Sequence, residues 1–395
     1  MNIIVRKGLH IGKVLVEIFQ DKYVIYKERK AQLDLYKKPQ RIEIAEEVTL
    51  TLEQEKAIDK FYKENYGKKI PYIWHKTYTA YTSKFDVQYF PELLYIPEFE
   101  HYMNQWPVYN AAMYDKNVIS VIAKSVEGVK TPWVYLSCVK GAFRNSDNQL
   151  IDKEKAIELV SNIGMIFAKP TVDCGGGSGC FIADFHNGMD SVSGKSAEEI
   201  ICQLGNDFVI QERVKCHETI SKIYSGSVNT FRIMTYRWKD KVFSVPAIMR
   251  IGRGGHYLDN AHQGGMFIAI DGDGAFHSCA YTEFKEVYTE HPDSGVIFSG
   301  YRIPLFPSVV EAAIKMHSVI PQIGVVNWDF TLNEKGEPVL IEANMNAGGI
   351  WVFEMAHGCG AFGERTAEIL RWMQFMRKTS PRLRKKYAFG KMDEK

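Results

Sequence analysis

The sequence predicts an α+β fold, with a helix-rich N-terminal region followed by strands, helices and antiparallel hairpins. Three observations carry this. Thr51 and Gln54 form a capping box, and Gly67 followed by Pro71 supplies a stop, so a helix lies between them. From about Met113, short β-branched and aromatic runs alternate with amphipathic segments. Late in the chain, Val325–Phe330 and Leu340–Asn344 flank Asn333-Glu334-Lys335-Gly336 as a hairpin.

In order, residues 1–48 are rich in Lys, Arg, Tyr and Ile and read as a solvated arm or a packed helix. Their basic, partly amphipathic character also suits an anionic lipid surface. Residues 72–115 carry Trp74, His75, Tyr78, Tyr81, Tyr89 and Tyr95 and read as short irregular pieces. Strands are expected at Thr131–Leu136, Met165–Lys169, Cys180–Phe185 and Phe208–Val214, with a helix at Asp152–Asn162. Thr230–Tyr236 and Val242–Arg250 read as a hairpin around Lys239-Asp240. Ser308 and Glu311 form a second capping box, opening a helix that ends before Pro321. A last amphipathic helix runs from about Gly363 to Arg377, and the basic tail beyond it is solvated. The expected divisions are 1–112, 113–215, 216–378 and 379–395.

A chain of 395 residues with net charge +2 can bury a large core and has no excess charge demanding nucleic acid. Seven cysteines, irregularly spaced and without a CxxC pair, fit free thiols in a reducing compartment. Arg6, Lys7, Lys13 and Glu17 interrupt the N-terminal apolar residues, so no signal peptide is expected. No apolar run is long enough for a transmembrane helix. The expectation is a cytoplasmic protein, free or peripheral to the inner membrane face.

Along a strand, side chains alternate faces. Asn327, Asp329 and Thr331 therefore share one face, as do Glu342, Asn344 and Asn346, opposite Ile341 and Ala343. A turn centred on Lys335-Gly336 sets Asp329 across from Glu342 and Asn327 across from Asn344. Two carboxylates and an amide oxygen then meet. Adjacent carboxylates repel unless a cation lies between them, and all-oxygen ligands suit Mg²⁺. The bland reading is a solvated polar face.

Lys169 precedes a loop containing Gly175, Gly176, Gly177 and Ser178. Such glycines allow backbone amides to cradle an anion, or make a plain hairpin tip. The next element is a strand, so this is neither a Walker A loop nor a Rossmann fingerprint. The strand containing Gln211, Glu212 and Val214 can offer backbone groups to an adenine edge, with Glu218 downstream for ribose hydroxyls. It can equally be an edge strand. Arg232 and Arg250 sit on apolar strands and need partners, either phosphate or carboxylate groups of a ligand or the chain's own acids. The loop containing Asn260 closes over a substrate or simply connects strands. His75, His101 and His317 are isolated, and no nucleophilic triad is evident.

The order of these parts resembles the ATP-grasp superfamily, and more closely its sugar-transfer-associated family from bacterial polysaccharide gene clusters. The likeness rests on Lys169-Pro170 with Gly175-Gly176-Gly177, Ser227–Arg232, Asp259-Asn260 with Gly264-Gly265, His291–Val296, Trp328-Asp329 and Phe362–Thr366. These span roughly residues 113–375. The resemblance implies a small lid over a larger antiparallel-sheet subdomain, with ATP between them. It places Lys169 and the glycine loop on phosphates, residues 211–214 on adenine, and Asp329, Glu342 and Asn344 on one or two Mg²⁺ ions. Arg250 faces the γ-phosphate or an acyl phosphate, with Arg232 nearby and Asn260 in the adjoining loop. The expected activity is ATP-dependent carboxylate–amine ligation, with small-molecule substrates, one of them a sugar. The alternative is a kinase acting on a sugar or another hydroxyl.

Overall fold

In the computed structural model, which describes residues 3–172, 177–346 and 348–392, the first hundred residues are mainly helical. Helices span Ile3–Leu35, Pro39–Glu46, Leu52–Tyr66 and Ile73–Thr82. Thr51 caps the third: its side chain accepts from the Gln54 N–H, and the Gln54 side chain accepts from the Thr51 N–H. Gly67 ends that helix at φ 78°, a conformation glycine adopts without Cβ strain. The first helix is packed, not a free arm. Its Asp21 meets His101 and Arg384, and its Arg29 meets Glu98.

Residues 72–115 are largely helical, with irregular chain at 83–91 and 104–106, contrary to the expectation of irregular pieces throughout. Besides Ile73–Thr82, they include a π-helical turn at Tyr95–Glu100 and a helix at Pro107–Tyr114. Trp74, Tyr78, Tyr89 and Tyr95 are fully buried. A helix enclosed on several sides has no broad polar face, so its period is hard to read from sequence.

Seven strands form the smaller sheet: β1 (Val134–Val139), β2 (Ala142–Asn145), β3 (Leu150–Ile151), β4 (Gly164–Pro170), β5 (Phe181–His186), β6 (Met189–Asp190) and β7 (Phe208–Glu212). Their order is β3-β2-β1-β7-β4-β5-β6, and every pairing is antiparallel. β1 begins later than expected because Pro132 has no N–H for a ladder and the Trp133 N–H donates to the Glu212 carboxylate. One face packs on helices Lys153–Val160 and Ala197–Leu204 through Ile166, Ala168, Phe208 and Ile210. Alternation sends Phe167, Lys169 and Gln211 to the other face.

Eight strands form the larger sheet: β8 (Thr230–Trp238), β9 (Lys241–Ser244), β10 (Ala247–Ile251), β11 (Met266–Ile270), β12 (Phe276–Tyr281), β13 (Val287–Tyr288), β14 (Val325–Leu332) and β15 (Pro338–Asn344). Their main order is β13-β12-β11-β10-β8-β14-β15, with β9 also paired to β8. The expected strand Val242–Arg250 is split into β9 and β10, both against β8. The break contains Pro246, which cannot donate to a ladder. Helix Phe306–Ser318 packs beneath β8 and β14. It starts before the expected cap, with Pro307 in its first turn, and the Ser308 hydroxyl donates to the Leu305 carbonyl instead of capping. The last expected helix is a short 3₁₀ turn, Gly363–Arg365, leading into Thr366–Lys378.

A continuous apolar cluster joins Tyr36, Trp74, Tyr95 and Phe99 to Met234, Val325, Phe362 and Trp372. At its edge, the buried Asn104 amide ties both site strands to the helical region. Its Nδ2 donates to the carbonyls of Val325 and Met345 (3.0 and 2.7 Å), while its Oδ1 accepts from Gly324 and Val325 N–H groups (2.8 and 3.0 Å). His317 is a satisfied core histidine: Nε2–H donates to the Ile323 carbonyl, and Nδ1 meets Thr235 Oγ1. Cys138, Cys180, Cys202, Cys216, Cys279 and Cys359 are free thiols, while Cys174 lies outside the described residues.

Glu92 is buried and accepts N–H groups from Ile350 and Trp351 on Oε1 (2.5 and 2.9 Å). Burial raises its carboxyl to about 7. The folded state therefore binds this proton more tightly than the unfolded state, and the stability it contributes falls as pH rises from the unfolded value of 4.5 through about 7. Glu92→Gln has no such proton. Urea melts are expected to show it gaining on wild type by about 3 kcal/mol between pH 5 and 8. A pH-independent difference would remove burial as the cause.

Candidate active site between the two sheets

The hairpin register agrees with the sequence pattern: Asp329 pairs across from Glu342, and Asn327 from Asn344. Val326, Trp328 and Phe330 point into the core beneath, all fully buried. The register then shifts, so Phe330 faces Leu340 and Ile341 becomes the extra residue of a bulge. Ile341, expected opposite Glu342, consequently borders the cleft beside it. Its carbonyl accepts from Lys169 Nζ at 3.5 Å, a link between the sheets.

Asp329 is 1% exposed and lies across from Arg232 on its other side. Arg232 Nε and Nη2 donate to its two oxygens at 2.6 and 3.1 Å, a bidentate pair. Arg250 Nη2 approaches Asp329 at 3.4 Å and Asp259 at 3.2 Å, while its Nε donates to Thr230 Oγ1 at 3.0 Å. Of the partner classes open to these arginines, the fold supplies the chain's own acids. Burial raises the Asp259 carboxyl against the opposing effect of Arg250 and the hydrogen bonds from Thr230. Asn344 Nδ2 donates to Asp329 at 3.2 Å, which leaves its amide oxygen as the atom to offer a cation. Glu342 is partly exposed and faces Lys116 at 3.3 Å.

These groups share a cleft with the open face of the smaller sheet. Phe167, Ile182, Val228 and Leu258 supply apolar walls, and Gln211, Glu212, Arg213 and Val214 run along one edge. Lys169 and Gly177 border it too, as does Asn260, whose side chain accepts from the His262 N–H. Gly177 has φ +79°, and a Cβ there would come within 2.7 Å of Leu258 Cδ1, so this turn approaches the far wall closely. Gly175 and Gly176 lie outside the described residues. Ser178 is exposed and does not border the cleft.

Glu218 is also not brought to the cleft. The His217 N–H bonds to the Leu332 carbonyl, and Glu218 opens a short helix with its exposed side chain toward Lys222. Lys116 and Asp259 are cleft residues that the sequence reading did not select as site residues. Asp115 as the N-cap marks the start of helix Lys116–Ala123 but not its place beside Glu342. Asp259 needed the long-range pairing of β8 with β10, which brings Thr230 and Arg250 to it.

Solved structures with fold similarity include D-alanine–D-alanine ligase from Bacillus anthracis, at 16% identity over 70% of each chain and a TM-score of 0.37. L-amino acid ligase from Bacillus licheniformis matches at 14% identity over 66% of this chain and 48% of that one, with a TM-score of 0.36. A biotin carboxylase–β,γ-ATP complex from Campylobacter jejuni matches at 14% identity over 66% and 46%, with a TM-score of 0.39. This chain thus spans about half the length of the latter two. No curated protein matches it in sequence. The family model described as sugar-transfer associated ATP-grasp matches residues 97–369, which contain both sheets and every cleft residue named above. The chain therefore belongs to the sugar-transfer associated ATP-grasp family and has its antiparallel, two-sheet ATP-grasp fold.

Proposed function

We propose that this protein is an ATP- and Mg²⁺-dependent, ADP-forming carboxylate–amine ligase that works through an acyl phosphate, with a sugar derivative among its substrates in surface-polysaccharide or sugar-conjugate synthesis. One observation carries the reading. Lys116, Lys169, Arg232 and Arg250 border the same cleft as Asp329, Glu342 and Asn344, beside an apolar slot suited to a base. In this reading residues 113–215 form the lid and residues 216–378 the subdomain beneath it.

The oxygen set fits magnesium by donor chemistry: two carboxylates and an amide oxygen are the hard ligands it takes alongside substrate phosphates. Glu342 and Asn344 have the more available oxygens, since both Asp329 oxygens already accept from Arg232. Bound there, Mg²⁺ would neutralise phosphate charge. The remaining work belongs to the chain. Phe167, Ile182 and Leu258 bracket the adenine, and the 211–214 segment offers its edge hydrogen bonds. Lys169 and Lys116 hold phosphates. Arg232 and Arg250 are oriented by their carboxylates before a ligand arrives, so charge developing on the transferred phosphoryl meets donors already in place. The carboxylate oxygen bonds to the γ-phosphorus as the bond to ADP breaks. The amine then attacks the acyl carbon, loses a proton and expels phosphate. Closure of the smaller sheet over the cleft would keep water from the acyl phosphate.

An ADP-release screen over carboxylate and amine pairs tests this, with hydroxylamine in place of the amine. Ligation predicts carboxylate-dependent ADP release and a hydroxamate. Carboxylate-independent ADP release with a phosphorylated hydroxyl product would establish the kinase instead.

No helix among the described residues is long and apolar enough to cross a membrane. We propose a peripheral site on anionic bilayers at the outward face of Ile3–Leu35. Leu15, Phe19, Tyr23 and Tyr26 are exposed there among Lys13, Lys22, Lys27 and Lys30. Of the helix's acids, Glu17 and Asp21 pair with Arg382 and Arg384, Asp34 pairs with Lys37, and Glu28 is half-buried. The face thus complements a negative surface. Sedimentation with anionic but not neutral vesicles is expected, weakened about tenfold by Phe19→Glu with Tyr23→Glu. Equal sedimentation of wild type and variant would reject this surface.

A further inference from the structure

A second group of metal-ligating side chains lies on the larger sheet, outside the cleft. Asp271 follows β11, His277 lies on β12, and His357 ends helix Trp351–His357. Each can bring one donor atom to within 4.8 Å of the other two. The His277 and His357 rings lie edge to face, their centroids 5.0 Å apart, and His277 Nε2 is 3.1 Å from Asp271 Oδ1.

The decisive feature is the orientation of His357. Its residue is 9% exposed, and Nε2 lies 2.7 Å from the Ala247 carbonyl. A carbonyl only accepts, so Nε2 carries the proton, and in the neutral ring Nδ1 holds a bare lone pair. No bond to that nitrogen is made by the described residues. Ligating imidazoles characteristically use this arrangement, with the second nitrogen donating to a backbone carbonyl and fixing ring and tautomer. Asp271 is held by the β11–β12 turn, where its own N–H donates to the Ala275 carbonyl and its carbonyl accepts from the Gly274 N–H. Two imidazoles, one already oriented, and a carboxylate thus converge from three elements.

We infer that Asp271, His277 and His357 form a zinc-binding site, independent of the nucleotide cleft. Zn²⁺ takes nitrogen and carboxylate oxygen ligands at about 2.0–2.2 Å, so tetrahedral donors sit about 3.4 Å apart. The donors now lie within 4.8 Å of one another, so binding would draw them about 1 Å closer. His277 would exchange its contact with Asp271 for a shared ion, and water would fill the fourth position. Lys84 is the nearby opposing charge at His357, and Asp271 offsets it. Magnesium is the poorer fit because two of three donors are imidazole nitrogens. The ion would clamp the end of helix Trp351–His357 to the β11–β12 hairpin.

The test is calorimetric titration of Zn²⁺ into the full-length protein stripped with chelator, with Co²⁺ as a spectroscopic probe. One site is expected, with visible Co²⁺ bands and no thiolate charge transfer. Asp271→Asn and His277→Gln, both at accessible positions, should each bind at least about tenfold more weakly while keeping the metal-free melting temperature. His357→Asn should abolish the site, but its burial makes it the riskier variant. Absence of binding, undiminished affinity in the two accessible variants, or thiolate bands showing cysteine ligation would each overturn the assignment.

Discussion

Asp329→Asn is expected to lower ADP release by about a thousandfold or more. The side chain is almost wholly buried, and its oxygens accept from Arg232 at 2.6 and 3.1 Å with Arg250 at 3.4 Å. Asparagine preserves the shape but removes the charge that holds both guanidinium groups. In either orientation its amide nitrogen would face an N–H donor of Arg232, because both carboxylate oxygens accept there. Arg232 then loses its bidentate anchor in the cleft, while Arg250 keeps Asp259 and Thr230 but loses its second carboxylate. Breaking one partner of such a buried pair typically costs about 3–5 kcal/mol, so a lower urea midpoint should accompany the loss of turnover. Coupled ADP assays and denaturant melts on the same preparation separate the effects. A folded Asp329→Asn protein turning over at the wild-type rate would remove Asp329 from the site.

Glu342→Gln should show the opposite balance. This carboxylate is 34% exposed at the side chain and meets Lys116 at 3.3 Å, so solvent screens the pair. Its loss should alter stability by no more than about 1 kcal/mol. Turnover should nevertheless drop about 100- to 1,000-fold, because the group stands where charge must be stabilised. The magnesium concentration for half-maximal rate should rise as well, since a neutral amide is the weaker ligand. An unchanged magnesium requirement would assign Glu342 to positioning Lys116 alone. The two variants thus distinguish a carboxylate that organises arginines from one available to a cation.

The hairpin was legible because alternation and turn position depend on a few adjacent residues. Asp329, Glu342 and Asn344 followed from parity alone, and the register agrees. The bulge at Ile341 did not, since an inserted residue leaves no mark on the local pattern. Capping explained Leu52–Tyr66 but misplaced the start of Phe306–Ser318, where Pro307 dominates the first turn. The buried aromatic helices near Trp74 lacked a readable polar face. Glu218 was selected for its proximity in sequence to β7, and the tie between His217 and Leu332 carries it elsewhere. Lys116 and Asp259 reach the cleft through contacts between distant segments, which spacing along one chain does not disclose.

The four bonds of Asn104 set a lower limit on any shortened version of this protein. They reach the beginning of one acid-bearing strand and the residue just past the end of the other from a segment that supplies nothing to the cleft wall. Cutting before residue 113 would strip partners from backbone groups at Gly324, Val325 and Met345 while leaving every proposed nucleotide contact in the sequence. A designer transplanting this chemistry onto another scaffold must therefore copy the fastening along with the hairpin.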